Sequence, residues 1–206
     1  QFGVTTQFGG VYGDNIYFIS KQENRFVVAS QKDLKKQAVL VEVGGDGRSF
    51  QGISSDKGYL STSDGISIID LKATALVGPI DGIQGEVGDM CVVGNKAFAN
   101  AKGKVFVINT TDDSLLETIE LEGANSVLLA KDGNVWAGAG STLYKIDPVS
   151  LESEKIDLGD NSIRTNPWAW TARSIDASMQ SNTLYWTSNT SVVKFDMDTK
   201  SAQAIY

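Results

Sequence analysis

Residues 132–147 read Asp132-Gly133-Asn134-Val135-Trp136-Ala137-Gly138-Ala139-Gly140-Ser141-Thr142-Leu143-Tyr144-Lys145-Ile146-Asp147. Asp-Gly-Asn is hairpin-turn chemistry, because Gly tolerates positive φ and Asp and Asn bond to nearby backbone. Two short runs rich in apolar residues follow, Val135-Trp136 and Leu143-Tyr144-Lys145-Ile146, separated by a glycine-bearing loop. A polar residue, Asp147, then stops the second run. The pattern predicts two antiparallel strands joined by tight turns.

The same grammar recurs along the chain. Earlier copies place Ile16-Tyr17-Phe18-Ile19 before Phe26-Val27-Val28-Ala29, Tyr59-Leu60 before Ile66-Ser67-Ile68-Ile69, and Ala97-Phe98 before Val105-Phe106-Val107-Ile108. A fifth places Leu184-Tyr185-Trp186 before Val192-Val193-Lys194-Phe195. The stops are Ser30, Asp70, Asn109, Asp147 and Asp196, at intervals of 40, 39, 38 and 49. Asp, Asn and Ser at such stops read as turn initiators rather than as a metal or catalytic series, and Asp112-Asp113 reads as a solvated turn. Each copy also has an apolar stretch before the turn, such as Met90-Cys91-Val92-Val93 or Val127-Leu128-Leu129, and a more polar one after the stop, such as Leu115-Leu116-Glu117-Thr118-Ile119 or residues 151–156. Four strands per repeat of about 40 residues is the signature of a β-propeller blade. The expected architecture is all-β, with five four-stranded blades at about 4–46, 47–83, 84–122, 123–159 and 160–206. No stretch has helical periodicity over three turns, which excludes a parallel α/β fold.

Composition bounds the function. The 206 residues carry 18 Lys and Arg against 25 Asp and Glu, a net charge of −7, and no basic run offsets it. Nucleic acid is therefore a poor partner. There is no His, the usual general base near neutral pH and the commonest metal ligand. The single cysteine, Cys91, allows no internal disulfide and reads as a small buried hydrophobe. Trp136 and Trp186 lie within predicted strands and are expected in the core. No segment approaches the ~20 apolar residues of a membrane-spanning helix. Gln1-Phe2-Gly3 reads as the interior of a longer chain, so no compartment follows from the missing leader.

The departure from the period locates a candidate site. The 49-residue step contains residues 159–173, which include Arg164, Asn166, Trp168, Trp170 and Arg173. In a propeller, the loops leading into the inner strands share one face with those joining second and third strands. Trp and Arg there offer flat apolar surface and fixed donor forks for a sugar, a planar ring or a protein. The competing reading packs Trp168 or Trp170 between blades. Other loops expected on this face are residues 6–8, 47–51 (with Arg48, Phe50 and Gln51), 84–86 and 123–125. The candidate ligand-binding set is Arg48, Phe50, Gln51, Arg164, Asn166, Trp168, Trp170 and Arg173. No catalytic or metal residues and no cofactor are assigned. Without His, an enzyme would need paired carboxylates, Ser-Lys or a Tyr/Arg set, and Glu86 and Asp89 with Arg48 form the one candidate acid and ion-pair cluster.

Several runs carry a family likeness: Thr5-Thr6-Gln7-Phe8-Gly9, Tyr12-Gly13-Asp14-Asn15, Ile19-Ser20-Lys21-Gln22, Gly44-Gly45-Asp46-Gly47-Arg48-Ser49-Phe50, Lys131-Asp132-Gly133-Asn134-Val135-Trp136, Trp168-Ala169-Trp170 and Leu184-Tyr185-Trp186. Together they resemble the YncE-like (YVTN-type) propeller domains of Bacteroidetes-type cell-surface, surface-layer-like proteins. The resemblance implies an exported, often lipid-anchored protein of the cell surface, outer membrane or periplasm. It also implies a ring of about seven or eight blades, with blade material lacking here at one or both ends. Related surface propellers capture corrinoids, which makes a corrinoid one candidate ligand beside a glycan or an envelope protein. It brings no catalytic residues. The expected function is thus a non-catalytic binding propeller; the alternatives are a carboxylate-based glycan hydrolase or lyase, or a purely structural assembly module.

Overall fold

The structure is a computed structural model, and it describes residues 6–20, 25–33, 35, 37–42, 46–159, 164–165, 175–178, 180–188 and 191–205. Twenty strands form five four-stranded antiparallel sheets among these residues. Blade 1 contains β1 (Thr6–Tyr12), β2 (Asn15–Ser20), β3 (Arg25–Ser30) and β4 (Gln37–Glu42). Blade 2 contains β5 (Gly47–Gly52), β6 (Lys57–Thr62), β7 (Gly65–Asp70) and β8 (Ala75–Pro79). Blade 3 contains β9 (Val87–Val93), β10 (Lys96–Ala101), β11 (Lys104–Asn109) and β12 (Ser114–Glu120). Blade 4 contains β13 (Ser126–Leu129), β14 (Val135–Ala139), β15 (Thr142–Ile146) and β16 (Ser153–Asp157), and blade 5 contains β17 (Ile175–Ala177), β18 (Thr183–Thr187), β19 (Val192–Asp196) and β20 (Ser201–Ala204). Strands pair in chain order within each blade, and the inner strands β1, β5, β9, β13 and β17 lie side by side in that order. The all-β propeller architecture expected from the repeat is the one observed.

Blade stacking rests on one recurring position. An aromatic residue stands at the middle of every second strand: Tyr17, Tyr59, Phe98, Trp136 and Tyr185. Each pairs with a third-strand residue in the same register: Val28, Ile68, Val107, Lys145 and Lys194. Four of these aromatics enter the core shared with the following blade. Tyr17 packs 4.5 Å from Phe50 of blade 2, the two rings tilted by 32°. Tyr59 clusters with Val87, Met90 and Phe106 of blade 3. Phe98 clusters with Val127, Val135 and Tyr144 of blade 4. Trp136 meets Phe195 of blade 5 edge-on at 5.7 Å. Offset and edge-on geometries suit the ring quadrupoles, and the larger gain is the apolar area each ring removes from water. By contrast, the outer strands β8, β12 and β16 are mostly exposed.

The stop residues act as turn caps, as their chemistry predicts. Asp70, Asp147 and Asp196 each accept backbone N–H bonds through Oδ1 from the residues two and three positions on. Asn109 accepts one from Thr111. Four residues after each of these four stops the chain turns through positive φ, at Thr74, Asp113, Leu151 and Lys200. Asp132 similarly caps Asn134, accepts from the Trp136 indole N–H and pairs with the Lys145 ammonium at 3.4 Å, so this turn holds a core ring in place.

Asp113 departs from the expectation of a solvated turn. Its side chain is only 23% exposed and binds Lys57 Nζ of blade 2 at 2.6 Å, with the Tyr59 hydroxyl donating to the same oxygen. Lys57 also donates to Thr110 O at 2.7 Å. Burial, reinforced by this hydrogen bond to Asp113, pushes the Tyr59 phenol above its ordinary pKa. Lys96 repeats the device one blade later, donating to Pro148 O at 2.7 Å. A lysine at the start of the second strand thus ties two blades to the next blade's turn.

Two outcomes follow. Phe98→Ala and Trp136→Ala should each cost about 3–5 kcal/mol in denaturant unfolding, as buried aromatic truncations do, whereas Leu116→Ala on exposed β12 should cost under about 0.5 kcal/mol. Backbone N–H bonds hold the Asp147 and Asp196 carboxyls below the usual range, so their stabilisation is present above the unfolded-chain value of about 3.9 and is lost as pH falls through the lower folded values. Melting temperature should therefore drop on acidification below that value. The D147N/D196N double variant, which keeps acceptor oxygens but cannot titrate at these positions, should show a shallower drop.

Candidate functional site

One face of the blades gathers the loops that lead into inner strands and the turns between second and third strands. Backbone bonds stitch the two sets together: Gly103 N donates to Ala124 O and Thr165 N to Gly140 O. At Gly65 a Cβ would fall 2.7 Å from Ile83 O, so the blade 2 turn meets the loop entering blade 3 at backbone distance.

Arg48 and Glu86 form an ion pair on this face. Arg48 Nη2 donates to Glu86 Oε1 at 2.9 Å, with the arginine side chain 14% exposed and the glutamate 50%. The pair links the start of β5 to the loop before β9. Arg48 sits at an irregularity in the β5–β6 register between Gly47 and Ser49. Corresponding irregularities occur in β1 between Gln7 and Gly10, and in the β9–β10 pairing, where Gly88 and Asp89 lie opposite Asn100. Such bulges bend a strand and re-aim its side chains. Inner strands of three successive blades are therefore irregular toward the same face.

Just below the face, Ser61 Oγ donates to Gly88 O at 2.7 Å and to Ser49 O at 3.2 Å, bridging blades 2 and 3. Asn100 holds the matching position in blade 3. It is 4% exposed, a Cβ at Gly88 would come within 2.8 Å of its Oδ1, and that oxygen has no hydrogen-bond partner. In blade 4 the position is Gly138. The sequence signal for Asn100 was a lone carboxamide in Ala99-Asn100-Ala101, where the neighbouring blades have Ser or Gly.

The sequence-based set separates on the structure. Arg48, Phe50 and Gln51 lie in strand β5, not in a loop; Gly-Arg-Ser reads as a turn, but the segment pairs with β6. Residues 6–8 are likewise strand. Phe50 is buried between Tyr17 and Phe26 and belongs to the blade 1–blade 2 core, so it does not face a ligand. Gln51 is half-buried and donates to Gly52 O at 3.0 Å. Arg164 is half-buried, with its Nε buried and unpaired, beside Thr165, whose N and Oγ1 both bond to Gly140 O. Asn166, Trp168, Trp170 and Arg173 lie outside the described residues. Arg48 and Glu86 do meet as an ion pair. Among the described residues no three of His, Cys, Asp and Glu come together as metal ligands.

Solved structures similar to this chain are propellers of varied function. A quinoprotein alcohol dehydrogenase-like protein from Bacteroides thetaiotaomicron superposes with TM-score 0.71 at 19% identity, over 95% of this chain and 53% of its own. The extracellular domain of a one-component system from the same organism gives 0.71 at 13% identity, over 98% and 28%. Streptogramin B lyase gives 0.74 at 12% identity, over 96% and 67%. The chain thus spans about half the length of the first and about a quarter of the second. At these identities the likeness is one of fold. No curated protein sequence matches the chain. A family model does match it, over residues 1–206: the chain belongs to the DUF5074 family, a domain of unknown function.

Proposed function

We propose that this chain is a non-catalytic binding propeller, YncE-like in type, that presents its loop face to a small molecule, glycan or protein partner in the bacterial cell envelope. The observation that carries the reading is the Arg48–Glu86 ion pair, which fixes two charged side chains across adjacent blades on that face. The irregular inner strands beside it, and the half-buried Arg164 with its buried, unpaired Nε, add polar groups to the same face. Groups ordered in advance lose less entropy on binding. The long Trp- and Arg-bearing segment at 159–173 supplies the flat surfaces that sugars and planar ligands use. Export is supported by the likeness to an extracellular domain from Bacteroides. No helix among the described residues is long and apolar enough to cross a membrane.

Binding is tested by titrating the intact protein with corrinoids and with a panel of glycans. Trp168→Ala/Trp170→Ala should abolish the interaction and leave the melting temperature unchanged; unfolding of that variant would instead place the two rings in the core. Glu86→Gln should alter affinity while costing under about 1 kcal/mol in stability, the usual range for a part-exposed ion pair. Release of cleaved glycan in the same titration would replace the binding reading with an enzymatic one.

A further inference from the structure

Among the described residues, Arg164 is the half-buried basic side chain whose charge has no acceptor. The others are each engaged: Arg48 by Glu86, Lys57 by Asp113, Lys145 by Asp132 and Lys96 by Pro148 O. The Lys104 ammonium lies 4.8 Å from the centre of the Phe106 ring, and Arg25 has an interaction partner too. No described residue accepts a hydrogen bond from Arg164, and its Nε is buried without a partner. Arginine does not shed its proton to escape burial, as lysine can. A guanidinium withdrawn from water needs an acceptor, because its lost hydration is otherwise uncompensated.

The backbone fixes where this charge stands. Thr165 N and Oγ1 both bond to Gly140 O, which ties the residue after Arg164 to the blade 4 turn on the loop face. No described atom lies within 4 Å of where a Cβ on Gly140 or Gly159 would stand, so these positions border open space.

We propose that Arg164 anchors an oxyanion site on the loop face, and that the ligand of the binding propeller presents a carboxylate or phosphate group to it. Nε and the adjacent Nη form one edge of the guanidinium, and two parallel N–H bonds from that edge match the oxygens of either group. Arg48 does not offer a second such anchor, since Glu86 already holds it. The net charge of −7 repels anions at a distance, which disfavours polyanions and leaves ligands whose acidic group is carried on a largely neutral body. The inference rests on the binding reading above and narrows its ligand to an acidic one.

The test titrates the intact protein with glucuronate, inorganic phosphate and glucose at constant ionic strength, by calorimetry and by melting temperature. Glucuronate or phosphate should bind where glucose does not, and which of the two acids binds tells an acidic sugar from free phosphate. Arg164→Gln should weaken that binding by about tenfold or more, the loss expected of a charge-assisted bidentate contact. Its melting temperature without ligand should be unchanged or raised. Arg164→Lys, which keeps the charge and loses the fork, should restore only part of the affinity. Phosphate stabilises folded proteins generally, so the quantity read is the difference between wild type and Arg164→Gln. Asp160→Asn, which removes the acidic side chain nearest in sequence, should change neither affinity nor stability. The proposal is overturned if neither acid binds, or if Arg164→Gln binds them as tightly as wild type. It is also overturned if Arg164→Gln and Asp160→Asn each lower the unliganded melting temperature, the mark of an internal ion pair. A corrinoid or neutral glycan that binds wild type and Arg164→Gln equally would overturn this inference and leave the binding reading standing.

Discussion

The structure depends on an aromatic ring at the middle of the second strand in each of blades 1 to 4 being driven into the next blade. A lone four-stranded sheet has two apolar faces and cannot hide either of them from water. Here Tyr17, Tyr59, Phe98 and Trp136 reach across, and the residues around each ring come from both blades of the pair. The remaining features serve that contact. The stop residues cap turns that end the third strand in register, and Lys57 and Lys96 tie one blade to the next blade's turn. Glycine is used where a ring needs room: a Cβ at Gly52 would fall 2.2 Å from the Tyr12 ring and one at Gly58 would fall 2.3 Å from Phe50.

The fold was legible because this contact leaves a periodic trace. An aromatic or branched run, a loop, a second apolar run and a polar stop recur because every blade solves the same packing problem. The Asx-type role of the stops was legible for the same reason, since Asp, Asn and Ser carry that chemistry locally. Tertiary partners were not. Nothing in Asp112-Asp113 announces that Asp113 will be gripped by a lysine and a tyrosine some fifty residues earlier. Phe50 shows the reverse error: its polar neighbours Arg48, Ser49 and Gln51 read as a loop, yet strand pairing turns the ring into the core. The Arg48–Glu86 pair was legible only as a set of opposite charges; which of them meet was decided by where the start of β5 and the loop before β9 arrive in space.

The division between scaffold and loops carries over to function. Stacked blades fix the inner strands, and these fix the positions from which the loops start. Polar groups on the loop face are correspondingly ordered, as the Arg48–Glu86 pair and the Gly140-bound Thr165 are. The outer strands, exposed and more polar, contribute little to cohesion. Rigid blades with a charged, irregular rim suit recognition, and the same scaffold in other proteins carries unrelated activities, as the lyase among its structural relatives illustrates.

The central claim is that stability resides in contacts between blades rather than within them. Native-state hydrogen exchange across a denaturant series addresses it directly. Amides of β10, β11, β14 and β15 should share one high-energy opening, while those on the outer strands β8 and β16 exchange earlier through local fraying. Blades 3 and 4 losing protection independently, each with its own free energy, would contradict the account.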